Sequence, residues 1–188
     1  MEGFSIYRRC NTEESVRRQR QIENCLLDMM QTIPYQQITV GGICEKAGLS
    51  RKSFYRYFSS REGCLHGLID HFILDSHQVY HNEPITEDDP VKVLECYFSF
   101  WKQHSTLLDV LYRNQLSSQL LERSMLRVTQ EHLEFHNFLN AENPDDAFEQ
   151  ALFIISGIIG LIIHWHLSGY RKTPTQMAVV TNRLLKKS

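Results

Sequence analysis

No two cysteines in this 188-residue chain stand at the C-x-x-C spacing of a metal knuckle or a redox motif. The five that are present (Cys10, Cys25, Cys44, Cys64 and Cys96) are odd in number and widely spread. That argues against a disulfide framework and suits reduced thiols in a cytoplasm. The first ten residues, MEGFSIYRRC, hold no apolar core that would serve as a signal peptide. No apolar run reaches the ~20 residues that span a bilayer. The nearest, 151–167, is interrupted by Ser156, His164 and His166, and is read as a buried helix with no membrane partner. Paired catalytic carboxylates, a phosphate-cradling glycine loop and a nucleophile motif are all missing, so neither an enzymatic activity nor a cofactor is expected. There is no convincing strand pattern, internal repeat or low-complexity stretch.

Charge is nearly balanced, at -2 overall, but it is unevenly placed. Residues 1–61 hold ten Lys/Arg and six Asp/Glu (+4), whereas 62–188 hold ten and sixteen (-6). A basic front on an acidic body suits a protein that touches phosphate at one end.

Apolar periodicity then divides the chain into helices. Asn11 and Glu14 offer a capping box for a first helix with its stripe on Ile22, Leu26, Met29 and Ile33, and Pro34 ends it. Thr39 caps a second helix, Gly48 supplies a left-handed corner, and Ser50 caps a third. Ser59 and Glu62 form another box before an amphipathic fourth helix to about residue 78. The acidic stretch 81–90 is the clearest break and ends in Asp89-Pro90, a cap followed by a first-turn proline. Beyond it come a helix burying Leu94, Tyr97, Phe98 and Trp101, a short one, a long one over about 115–139, an apolar one over 143–168, and a last one opened by Thr173, Pro174 and Gln176. The expected fold is all-α with about nine helices, in two parts: an N-terminal three-helix domain over 1–60 and a C-terminal helical domain over 61–188.

The stretch 38–58, ITVGGICEKAGLSRKSFYRYF, has the pattern of a helix-turn-helix. Its second helix would enter a major groove of duplex DNA. Arg51 and Lys52 can donate to guanine O6 and N7, and Ser53 can bond either member of a base pair. Tyr55 can touch a thymine methyl, while Tyr57 and Arg61 stand nearer the exit, where phosphates set register.

Residues Thr39, Ile43, Ala47-Gly48-Leu49-Ser50, Phe54-Tyr55-Arg56-Tyr57-Phe58, Arg61 and Leu65 together resemble the DNA-binding domain of the tetracycline-repressor-like (TetR/AcrR) regulators. The resemblance covers about residues 12–75. It implies a homodimeric, ligand-responsive regulator of transcription, more often a repressor, with a double-stranded palindromic operator and a small-molecule effector as partners. By the same resemblance Arg51, Lys52, Ser53 and Tyr55 match base-facing positions, and Thr39, Ser50, Tyr57 and Arg61 match phosphate-contacting or capping ones. Two positions depart from the pattern. Gly41-Gly42 fill a helix interior, where each costs roughly 1 kcal/mol relative to alanine; they imply a looser second helix or a close backbone approach. Lys52 adds a cation at a position that is small or proline in many relatives. The alternative function is a family member that works as a co-activator through a protein partner, with weak DNA binding or none.

In the C-terminal part, Tyr97, Trp101, Tyr112, Phe135 and Trp165 offer aromatic surface for an effector pocket, with His104 and His132 as polar groups. His132 and His136 are an i, i+4 pair, but HLEFH is not the H-E-x-x-H zinc pattern, and no metal site is expected. The 143–168 helix is apolar nearly all round and must be covered on every side. A two-fold bundle of the last two helices would do this, with Phe153, Ile158, Leu161, Ile162, Met177, Val180 and Leu184 at the interface.

Overall fold

A computed structural model describes residues 7–8, 10–79, 89–130 and 146–186. Nine α-helices lie among them: α1 (Glu13–Met30), α2 (Val40–Ala47), α3 (Arg51–Tyr55), α4 (Arg61–Gln78), α5 (Pro90–Gln103), α6 (Ser105–Arg113), α7 (Ser117–Gln130), α8 (Ala147–Leu167) and α9 (Pro174–Leu185). A single 3-10 turn, Tyr35–Gln37, follows Pro34, and an isolated antiparallel bridge joins Tyr7 to Phe58. The sequence indicated neither. His132, Phe135 and His136, the 131–139 end of the expected long helix, and the expected start at 143–144 lie outside the described residues.

Local chemistry explains most boundaries. Thr39 Oγ1 accepts the Gly42 N–H (3.1 Å), and Ser50 Oγ accepts the Ser53 N–H (3.1 Å). Thr173 and Gln176 close a capping box over Pro174, and Asp89 caps α5 ahead of Pro90. Two caps fall one residue beyond the expected place. Thr12, boxed with Ser15, opens α1 in place of Asn11, and Ser60 opens α4 in place of Ser59. In each case the capping residue has an extended backbone and its side chain accepts a first-turn N–H.

One core runs through both parts of the chain. Ile22 and Leu26 of α1, Ile43 of α2, Phe54 of α3 and the following Phe58 meet Leu65, Leu68 and Ile69 of α4 with no meaningful solvent exposure. Phe98 and Trp101 of α5 meet the buried side of α8, where Trp165 sets its ring edge on Phe98 at 5.5 Å. By length and composition α8 is apolar enough to cross a bilayer, but here Ile155, Ile159 and Ile162 are buried within the bundle. Its packing is chiefly on α7.

Helix α4 holds the two parts together. Residues 63–70 are all buried, because α4 lies between α1 and α7. Gly67 permits that closeness: a Cβ there would come 2.9 Å from Glu23 Oε1, 3.0 Å from the Phe58 ring and 3.5 Å from Tyr7. Polar ties follow the same path. Asp70 receives a two-pronged bond from Arg123 of α7 and a 2.6 Å bond from the Tyr7 hydroxyl. His66 meets Gln119 at 2.9 Å, and Asn114 Oδ1 accepts the buried Tyr35 N–H at 2.6 Å.

Glu23 is buried against His71, whose Nδ1 lies 2.8 Å from Oε2. Burial pushes this carboxyl above its ordinary value of 4.5, and His71 pulls it part of the way back. The folded chain therefore holds the Glu23 proton more tightly than the unfolded chain. Stability from this source is complete below pH 4.5 and is lost as pH rises through the folded value. Glu23→Gln should flatten that fall in unfolding free energy. Urea titrations at several pH values, from about 4 to about 7, would detect it, and an unchanged slope would place the pH dependence on another group.

Candidate nucleic-acid interface

Helices α2 and α3 meet at Gly48, whose backbone is left-handed (φ 64°, ψ 41°). A residue with a Cβ is strained in that region, so glycine is the natural occupant of the corner. The turn presents α3 with Phe54 pointing inward and fully buried. Arg51, Lys52, Tyr55 and Arg56 all face solvent, and Ser53 is half-buried. Tyr55 keeps 55% of its surface exposed although its ring touches Phe54 edge-on at 5.6 Å. One short helix thus has an apolar side that anchors it and a cationic, aromatic side that nothing in the described chain covers. Such a surface can donate to phosphate oxygens and to acceptors on base edges.

The residues expected at phosphates or at caps divide into two groups. Thr39 and Ser50 are exposed caps, spent on the first-turn N–H groups of α2 and α3. Tyr57 and Arg61 are turned toward the protein itself. Tyr57 is buried, its hydroxyl accepts a bond from Arg56 at 3.2 Å, and its carbonyl accepts the Arg8 N–H at 2.9 Å. Arg61 donates Nη1 to the carbonyls of Tyr35 (2.8 Å), Gln36 (3.1 Å) and Ile38 (2.6 Å), with its guanidinium 4.2 Å from the Tyr35 ring centre. It closes the carbonyl ends of the 3-10 turn that leads into α2.

The glycine pair in α2 leaves a regular helix, capped at both ends. The structure shows the close approach that the sequence offered as one of two readings. A Cβ on Gly42 would stand 3.2 Å from Met29 Cε of α1, and one on Gly41 would stand 3.0 Å from Arg51 Nη2.

The residues expected to line an effector pocket are not gathered around one cavity. Tyr97 and Trp101 are buried one turn apart on α5, with ring centres 6.3 Å apart, and Trp165 packs on Phe98. Among the described residues the Tyr97 hydroxyl and the Trp101 indole N–H make no regular hydrogen bond, although Trp101 and Ser76 lie close enough to the Tyr97 hydroxyl to act on it. His104 stacks on Phe100 at 4.1 Å, its Nδ1 2.8 Å from the Phe100 carbonyl. Tyr112 is 55% exposed and lines a different, small cleft with Leu108, Leu120, Ile163 and His166. That cleft encloses about 10 Å³, space for about one water molecule.

The expected dimer residues also divide. Ile158, Ile162 and Met177 are already buried inside the chain and offer no surface, because they support α8 and α9 from within. Phe153 (69% exposed) and Leu184 (52%) are open, and Leu161 and Val180 are half-covered. Gly157 and Gly160 lie on the exposed side of α8, with no atom of the described residues within 4 Å of where a Cβ would stand. Among the described residues no cluster of three or more His, Cys, Asp or Glu is placed to hold a metal ion.

Comparison with known proteins bears on both halves. Residues 27–68 match the model described as bacterial regulatory proteins, tetR family, and residues 88–187 match the transcriptional regulator C-terminal region. The nucleoid occlusion factor SlmA of Shewanella amazonensis is 38% identical over 64 residues, which is 34% of this chain and 32% of that protein. The chain thus spans about a third of the length of such curated relatives. SlmA of a Marinomonas species aligns over 85% of this chain and 88% of its own at 24% identity. A putative TetR-family transcriptional regulator from Syntrophomonas wolfei superposes with TM-score 0.62, at 17% identity over 92% of this chain and 94% of that one. The fatty acid degradation regulator FadR from Bacillus halodurans gives 0.58, at 15% identity over 88% and 96%.

Proposed function

Because this chain belongs to the TetR family of bacterial regulatory proteins, we propose that it is a cytoplasmic, ligand-responsive repressor that binds a palindromic operator as a homodimer. The observation that carries this reading is the division of α3 into a buried anchor, Phe54, and an open face of Arg51, Lys52 and Tyr55. Arg51, Lys52 and Ser53 reach base edges from the first turn of the recognition helix, and Tyr55 lies against a thymine methyl or a phosphate.

A two-fold partner is supported by the apolar surface left on the last two helices. Phe153 and Leu161 of α8 and Val179 and Leu184 of α9 remain wholly or partly open. The bare surface at Gly157 and Gly160 allows a second helix to come close. Two-fold symmetry in the protein fits two-fold symmetry in the operator. An effector is supported by the buried Tyr97 hydroxyl and Trp101 N–H, which make no regular hydrogen bond among the described residues of an aromatic interior. A small molecule that bonds them in one spacing of the recognition helices more strongly than in another would shift the balance between the two.

Footprinting on the promoter of the protein's own gene tests the reading. Two protected half-sites about one helical turn apart are expected, lost steeply as salt is raised; no protected palindrome would count against it. Tyr55→Ala should weaken binding to the protected duplex roughly tenfold. It should leave the thermal midpoint unchanged, since the side chain is mostly in solvent.

A further inference from the structure

Gly41 and Arg51 lie ten residues apart, on different helices of the helix-turn-helix, yet they share one space. A Cβ built on Gly41 would stand 3.0 Å from Arg51 Nη2 and 3.8 Å from Arg51 Cζ, closer than a carbon and a nitrogen rest against each other. The Arg51 guanidinium therefore lies in a notch that exists because residue 41 has no side chain. No acceptor holds it there: among the described residues Arg51 has neither a hydrogen bond nor an ion pair. The N-terminal ends of α2, where Gly41 lies, and of α3, where Arg51 itself stands, both carry partial positive charge and give a cation no attraction. The side chain is otherwise exposed, and the bare backbone at Gly41 is what it rests against.

We propose that Gly41 is a positioning residue for sequence recognition: by leaving the notch open it sets the direction from which the Arg51 guanidinium meets the operator, and so which base pair Arg51 selects. The inference rests on the reading of α3 as a recognition helix. An arginine at the first helical position can swing back along α2 or forward over its own helix. Its planar fork bonds guanine O6 and N7 only from a narrow range of directions. A methyl group in the notch makes the guanidinium give way there, which shifts the balance toward the forward direction. Gly41 is the second residue of α2, in its first turn, and alanine there is no worse for the helix than glycine.

The test uses the full-length protein, with wild type, Gly41→Ala, Arg51→Ala, Arg51→Lys and the Gly41→Ala/Arg51→Ala pair. Each is taken through selection from a random duplex pool, then titrated against operators carrying all four base pairs at every position. Gly41→Ala should change the preference at one base pair of each half-site by about tenfold or more. It should leave the salt dependence and the thermal midpoint no lower than in wild type. Arg51→Lys, which keeps the charge and loses the fork, should disturb the same base pair. In the Arg51→Ala background, Gly41→Ala should have no effect on preference. The proposal is overturned if Gly41→Ala leaves every preference unchanged. It is overturned equally if the change persists without Arg51, or if Arg51→Lys acts at a different base pair. A wild-type selection that enriches no sequence would instead remove the DNA-binding reading itself, and the inference with it, before any variant is compared.

Discussion

Asp70→Ala is expected to lower the unfolding free energy by about 3–5 kcal/mol. Its carboxylate is buried and accepts three bonds, two from the Arg123 guanidinium and one from the Tyr7 hydroxyl. Removing it strands a largely covered cation, and a lone charge out of water costs more than the pair that it came from. The two charges explain each other. The bond that it donates to the Asp70 carboxylate holds the Arg123 guanidinium above its ordinary pKa. Burial first, and then the negative Asp70, pushes the Tyr7 phenol up. Urea unfolding of the purified variant gives the loss directly. Changing both partners together, Asp70→Leu with Arg123→Met, should recover much of it, because apolar groups of similar volume can replace a buried pair. A loss below about 1 kcal/mol in the single variant would mean that water reaches Arg123 as soon as Asp70 is gone.

Arg61→Ala is expected to cost about 2–3 kcal/mol, although the residue lies beside the recognition helix and was expected to serve DNA. Three carbonyls share its Nη1, and its cation lies over the Tyr35 ring. The three bonds share one nitrogen and the residue is half-buried, so their energies do not add in full. Lysine keeps the charge but not the planar fork and should recover only part of the loss. Binding to the operator separates this role from a phosphate contact. A lost phosphate contact lowers the slope of log affinity against log salt by about one unit. A lost backbone clamp weakens affinity at all salt concentrations by loosening the entry to α2. The second pattern is the expected one.

These two predictions also mark where reading the sequence stops. Thr39, Gly48, Ser50 and Thr173 were legible because a cap or a corner depends on three or four adjacent residues. Where two candidate caps stood side by side, as at Asn11-Thr12 and Ser59-Ser60, residue type alone did not choose between them. Arg61 reads as one more basic residue after an aromatic run, since its partners lie 23 to 26 residues earlier. Asp70 and Arg123 are 53 residues apart. Tyr57 belongs by pattern to the exposed basic face, but it is buried, and its backbone carbonyl is bonded by the distant Arg8 N–H. The aromatic residues of α5 and α8 were legible as apolar helix faces, while whether such a face surrounds a cavity or fills one depends on the helices opposite.

Helix α4 has no solvent side over residues 63–70, and this limits how the chain can be cut. A fragment ending near residue 60 would bare Ile22, Leu26, Phe54 and Phe58, which meet Leu65, Leu68 and Ile69 in the intact molecule. A fragment beginning there would leave Arg123 beside Asp70 without the Tyr7 hydroxyl, and Asn114 without the Tyr35 amide. Each piece loses buried contacts that the intact chain makes. The smallest part that could be expressed alone with its DNA-facing helix correctly seated must carry α4 and whatever covers α4's far side, which is α7.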